Sequence, residues 1–199
     1  MNINEEKIRL TAIEFAKRNK NQVAKKFVDV ELFEPDRTPV SVFMAGSPGA
    51  GKTEYSKNLI TLLEDIKKRR IIRIDPDDIR SEFPDYNGRN SYLFQGAVSL
   101  VVEKIHDLAL KQKQSFIFDG TLSKFEKAVD NINRSIKLGR PIIIFYLYQK
   151  PEIAWKFTEL REKVEGRNIP KEKFEEQFHN ALKTVCRLRE EFDDKVNIY

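Results

Sequence analysis

The chain has 199 residues, 40% hydrophobic and 34% charged, which excludes a disordered polymer and suits one globular domain with a highly charged surface. Lys and Arg number 36 against 31 acidic residues, and the net +5 is spread along the chain; this suits a site for polyanions such as nucleotides and nucleotide sugars better than a continuous nucleic-acid track. One cysteine, Cys186, excludes an intrachain disulfide and argues against a cysteine-built zinc site. With no signal-peptide core and no apolar run near the roughly 18–20 residues of a membrane span, the expected location is a reducing cytoplasm.

In chain order, residues 5–27 place Ile8, Ala12, Phe15 and Ala16 on one helical face, with Val23 and Phe27 as a second pair and a break near Asn19–Asn21. This segment, residues 1–30, reads as an integral helix of the domain, with a cis-acting inhibitor as the alternative. A polar turn at Glu34-Pro35-Asp36-Arg37 precedes Val40–Ala45, an apolar run too short for a helix and read as a buried strand. Further strands are expected at Ile71–Ile74, Ser115–Phe118, Ile142–Leu147 and Val196–Tyr199. They alternate with helices over 52–68, 76–82, 91–112, 123–138, 151–164 and 170–191. The dense basic run Lys67-Lys68-Arg69-Arg70 closes the first of these, where cations are favoured. The alternation predicts a single α/β domain over residues 1–199, a P-loop kinase-like three-layer sandwich with a mainly parallel sheet covered on both faces. Ligands in such sheets bind beyond the carboxyl ends of the strands.

Directly after the first strand stands Gly46-Ser47-Pro48-Gly49-Ala50-Gly51-Lys52-Thr53, a complete P-loop pattern. Glycines there let consecutive backbone N–H groups turn inward onto phosphate oxygens, and the helix that follows adds its positive end. Lys52 is expected to reach the β- and γ-phosphates of ATP, and the Thr53 hydroxyl to bind Mg²⁺. No Asn-Lys-x-Asp guanine-reading motif follows, which disfavours a GTPase. The length is short for an oligomeric motor.

The second strand runs into Asp75-Pro76-Asp77-Asp78. Asp75 suits an N-cap, Pro76 the first helical position, and Asp78 the acid of a capping box. Asp77 is not needed for the cap. At the end of a strand expected to neighbour the P-loop strand, it is a candidate base for an attacking hydroxyl. The third strand ends in Asp119, the Walker B pattern, with a carboxylate that holds Mg²⁺ directly or through water. Glu103 sits on an apolar helix, where a solvated edge is the simpler reading. Arg161 and Arg167, in a lid-like segment 151–170, either neutralise charge on a γ-phosphate or are merely solvated.

Together, the P-loop, Ile74-Asp75-Pro76-Asp77-Asp78-Ile79-Arg80 followed by Phe83-Pro84-x-Tyr86, the long helix with Glu103, Asp119-Gly120-Thr121, and Arg161 with Arg167-x-x-Pro170 resemble the zeta toxin family over roughly residues 5–199. Members of that family are toxins of bacterial toxin–antitoxin systems. They phosphorylate the 3′-hydroxyl of the amino sugar in UDP-N-acetylglucosamine and so starve cell-wall synthesis. The resemblance implies that Lys52 and Thr53 hold ATP and Mg²⁺, and that Asp77 is the general base. It further implies that Glu103 positions the sugar, reversing the solvated-edge reading, that Thr121 contacts substrate, and that Arg161 and Arg167 contact the ATP phosphates. An antitoxin protein that blocks the ATP site is the implied partner. Two departures stand out. The family usually has Glu where this chain has Asp119, and it continues beyond the strand containing Tyr199, where part of the adenine pocket is expected. Another small-molecule kinase and a nucleotide-dependent binding module are the competing functions.

Overall fold

The computed structural model describes residues 3–166 and 169–199. Five parallel strands, β1 (Ser41–Ala45), β2 (Ile72–Ile74), β3 (Phe116–Phe118), β4 (Ile142–Tyr146) and β5 (Asn197–Ile198), form one sheet in the order β2-β3-β1-β4-β5. The helices are α1 (Ile3–Phe27), α2 (Lys52–Lys67), α3 (Pro76–Arg80), α4 (Gln95–Lys111), α5 (Phe125–Ile136), α6 (Pro151–Glu165) and α7 (Lys171–Phe192); a 3-10 turn at Ser91–Phe94 leads into α4.

The sheet order corrects one expectation: β2 does not neighbour the P-loop strand, because β3 lies between them. The physical reason is burial on both faces. Phe116 and Ile117 are fully buried, as a central parallel strand requires, whereas β2 carries Arg73 and takes the edge. The register aligns Ile74 with Phe118 and Phe118 with Phe43, so β2 and β3 end level with each other while β1 runs on to Ala45 before the P-loop.

Two apolar layers flank the sheet. The larger joins Phe43, Ile72, Ile74, Phe116, Ile142 and Ile144 to residues of α1, α4, α5 and α7. The smaller joins Val42, Met44, Ile71 and Ile117 to Leu59, Ile60 and Leu63 of α2, the only described helix that contributes side chains there. Full burial of a Phe or Ile side chain stabilises the fold by about 1.5–3 kcal/mol, so the sheet residues set its register.

Helix α1 runs unbroken, against the expected interruption near Asn19–Asn21. The Asn19 amide donates to the Phe15 carbonyl at 2.9 Å, one turn back, so this polar residue satisfies itself without breaking the helix. Ala12, Ala16, Val23 and Ala24 are its buried face within the larger core. The basic run is tied to the preceding turn: Lys67 pairs with Asp36 at 3.0 Å, Arg69 with Glu34 at 3.6 Å, and Arg70 lies over the Phe33 ring. No described helix is long and apolar enough to cross a membrane.

Candidate active site

The P-loop leaves β1 and turns back on itself through three glycines of positive φ: Gly46 at 137°, Gly49 at 72° and Gly51 at 87°. Two of them are also sterically obligatory. A Cβ on Gly46 would collide with the Leu147 carbonyl oxygen, and one on Gly49 with the carbonyl oxygen of Ala154 in α6. The loop is thus wedged between the end of β4 and the lid-like helix. The Gly46 N–H donates to the Thr121 carbonyl at 3.2 Å, which docks the segment after β3 against the cradle. Ser47, Pro48 and Ala50 complete the loop, and Thr53 sits in the first turn of α2.

Lys52 curls over the loop, and its ammonium donates to the carbonyls of Gly46 at 3.0 Å and Ser47 at 2.6 Å. Burial lowers its pKa to about 8; the nearby carboxylates of Asp119, Asp75 and Asp77 pull it back up, while Arg161 pushes it down. These four charges surround the lysine, although they come from three separate stretches of sequence.

Asp77 lies in that group. Its Oδ1 pairs with Arg80, one turn along α3, and its Oδ2 is 3.6 Å from the Arg161 guanidinium of α6. Asp75 caps α3 as expected, accepting from the Asp77 N–H at 2.8 Å with Pro76 in the first turn. Burial, with Asp77 adding to it, pushes the Asp75 carboxyl up to about 7 against the pull of Arg73. Asp78 does not close a capping box. It pairs instead with Arg73 at 2.6 Å, because a fixed guanidinium competes better for a carboxylate than a backbone N–H does.

Asp119, buried at the end of β3, accepts from Ser56 Oγ at 2.7 Å and from Arg73 Nη2 at 2.9 Å, both on Oδ2. Arg73 therefore ties together Asp75, Asp78 and Asp119. Thr121 Oγ1 shares a hydrogen bond with Ser123 at 2.9 Å. Glu103 lies apart from this cluster, half-buried and paired with Lys127 at 2.6 Å and Arg134 at 3.2 Å of α5; among the described residues it makes no bond to the cradle or to Asp77. Arg167 lies outside the described residues.

Loop, buried lysine and flanking carboxylates come together as a candidate phosphate cradle with an acid group beside it. The sequence model of the zeta toxin family matches residues 24–199. The chain belongs to the zeta toxin family. That family membership makes it an ATP-dependent phosphotransferase of the toxin–antitoxin type. Among solved structures, one from the PezAT chromosomal toxin–antitoxin system of Streptococcus pneumoniae is similar to this zeta-family chain with a TM-score of 0.71 and 18% identity, over 94% of this chain and 76% of the other. The AvrRxo1-ORF1:ORF2 complex with ATP gives a TM-score of 0.60 at 15% identity, over 94% and 60%. The Pnkp1/Rnl/Hen1 RNA repair complex gives 0.61 at 18% identity, over 77% and 47%. At these identities the likeness is one of fold. No curated protein matches the sequence.

Several residues of the site escaped sequence reasoning. Arg80 was within reach of it, since residues three apart on a helix meet and Asp77 precedes it by three. Arg73, Ser56, Lys127 and Arg134 carry no local signal: Arg73 reaches Asp119 through the pairing of β2 with β3, Ser56 reaches it from α2, and Lys127 and Arg134 meet Glu103 where α5 lies against α4.

Proposed function

We propose that this chain transfers the γ-phosphoryl group of ATP to the 3′-hydroxyl of the amino sugar of UDP-N-acetylglucosamine, and thereby inhibits bacterial cell-wall synthesis. The observation that carries the reading is Asp77, held between Arg80 and Arg161 within the charged group around Lys52. Phosphoryl transfer through a loose transition state asks little of a base beyond orienting the hydroxyl and accepting its proton late. A carboxylate fixed by two guanidinium groups can meet that demand.

The cradle fits a triphosphate. Its two wedged glycines leave no room for side chains, and among the described residues Lys52 donates to loop carbonyls, which phosphate oxygens can replace. Arg161, already beside Asp77, is the residue of α6 suited to neutralise charge on the transferred group, with Arg167 as its companion. Thr53 would hold Mg²⁺, with Asp119 acting through water or its second oxygen, because Oδ2 is committed to Ser56 and Arg73. When bound, the ion supplies charge neutralisation on the β- and γ-phosphates. Thr121 and Glu103 are assigned to the acceptor, and an antitoxin that covers the ATP cleft is the expected partner.

The test is mass spectrometry of UDP-N-acetylglucosamine after incubation with the protein and Mg-ATP. A product heavier by one phosphate, absent with Asp77→Asn, supports the proposal; no product defeats it. One observation favours a second reading, a different small-molecule acceptor on the same scaffold: Glu103 is engaged by Lys127 and Arg134. A panel of nucleosides, drugs and other UDP-sugars separates the two.

A further inference from the structure

The segment after β3 continues from Thr121 into a second concavity. An open cavity of about 500 Å³ lies between the N-terminus of α5 and the middle of α7, and Lys124, Lys127, Lys183 and Arg187 line it with one acid, Glu126. Lys183 and Arg187 are one turn apart on α7 and project together. The Arg187 guanidinium lies 3.4 Å from the centroid of the Phe125 ring, which fixes it against the cavity wall. Among the described residues, Lys124, Lys183 and Arg187 have no carboxylate partner; Lys127 alone is paired, with Glu103 at 2.6 Å and Asp130 at 3.4 Å. The N-cap of α5, Lys124, offers no side-chain hydrogen bond, so the N–H groups of the first turn keep the helix's positive end toward the same space.

Like charges gathered around a hollow repel one another, and an anion with more than one charge relieves that repulsion. We propose that this cavity binds a pyrophosphate group, the diphosphate of the nucleotide-sugar acceptor, separately from the P-loop. The inference rests on the acceptor reading above and extends it. Lys127 links the two regions, since it lines the cavity and holds Glu103, the residue assigned to the sugar. An acceptor anchored by its diphosphate at α5 and α7 would direct its sugar past Glu103.

The experiment uses the full chain with its P-loop filled by a non-hydrolysable ATP analogue and Mg²⁺. UDP, inorganic pyrophosphate and uridine are titrated by calorimetry into the wild type and into Lys183→Glu and Arg187→Gln. Both side chains are exposed, so the fold should survive, and unchanged thermal melting checks this. Lys124→Gln, on the opposite wall, is an independent reporter. The expected result is binding of UDP and pyrophosphate but not uridine, weakened about tenfold in each variant as charge-assisted bonds are lost, with analogue affinity unchanged. Equal affinity in wild type and variants, or no binding of either anion to the wild type, overturns the proposal. If both anions bind and the variants lose them while no UDP-sugar is phosphorylated, the cavity stands and the acceptor reading falls. Phosphorylation of UDP-N-acetylglucosamine with the same KM in wild type and variants defeats the cavity and keeps the reading.

Discussion

His106 is fully buried in α4 with its ring edge-on to Phe43, Phe116 and Phe118. Neither ring nitrogen closes a hydrogen bond of good geometry; Asn131 comes near and pulls only weakly toward the charged form. Burial first, then Arg134, Arg140 and Lys127, lower its pKa to about 3. Between about 3 and 6.5 the unfolded chain binds the proton and the native state does not, so this residue makes stability rise with pH across that window. Asp75 acts oppositely. Its folded pKa near 7 means that native protein holds a proton more tightly from about 4 to 7, and its contribution declines as pH rises. His106→Leu should therefore raise stability by about 1–3 kcal/mol at neutral pH, by removing two unsatisfied polar atoms, and should leave the declining trend exposed. Urea unfolding at a series of pH values checks both effects. Lys52 offers a second pH test: with a pKa of about 8, the free protein loses the ammonium as pH rises through that value. ATP-analogue affinity should stay level below pH 8 and fall above it. Binding above pH 8 should take up a proton, visible as a buffer-dependent heat.

At the scale of elements, α6 and the P-loop behave as one unit. Gly49 packs against the Ala154 carbonyl, and two turns later the same helix sends Arg161 to Asp77. A side chain at position 49 must then displace the lid-like helix as well as strain a backbone with φ of 72°. Gly49→Ala should weaken nucleotide binding about tenfold or more, and should cost about 1–3 kcal/mol in stability. A matched titration and melting series would refute this if both stayed at wild-type values. The pairing of strands matters equally. Because β3 separates β2 from β1, Arg73 on the edge strand faces Asp119 rather than the loop, and one guanidinium organises three acids.

For the whole molecule, growth is the relevant readout. The proposed function predicts that expression without an antitoxin arrests or lyses growing bacteria, and that Asp77→Asn relieves the arrest while the purified variant melts as the wild type does. Equal toxicity of the two would remove Asp77 from the chemistry.

Much of this protein was legible before any coordinates. The P-loop could be read because its function depends on residues contiguous in sequence: glycines whose backbone must turn, and a lysine and a threonine at fixed offsets. The alternation of strands and helices was legible for a similar reason, since hydrophobic period is a local property. Asp75 as a cap followed from the same local rules. Sheet order did not, because which strand lies next to β1 depends on comparing the burial of β2 and β3 across the whole core. For that reason the sequence could name Asp77 and Arg161 without showing that they meet, and it gave no hint of Arg73 on Asp119 or Lys127 on Glu103. Long-range ion pairs depend on distances that only packing sets, and charge carries no record of its partner along the chain.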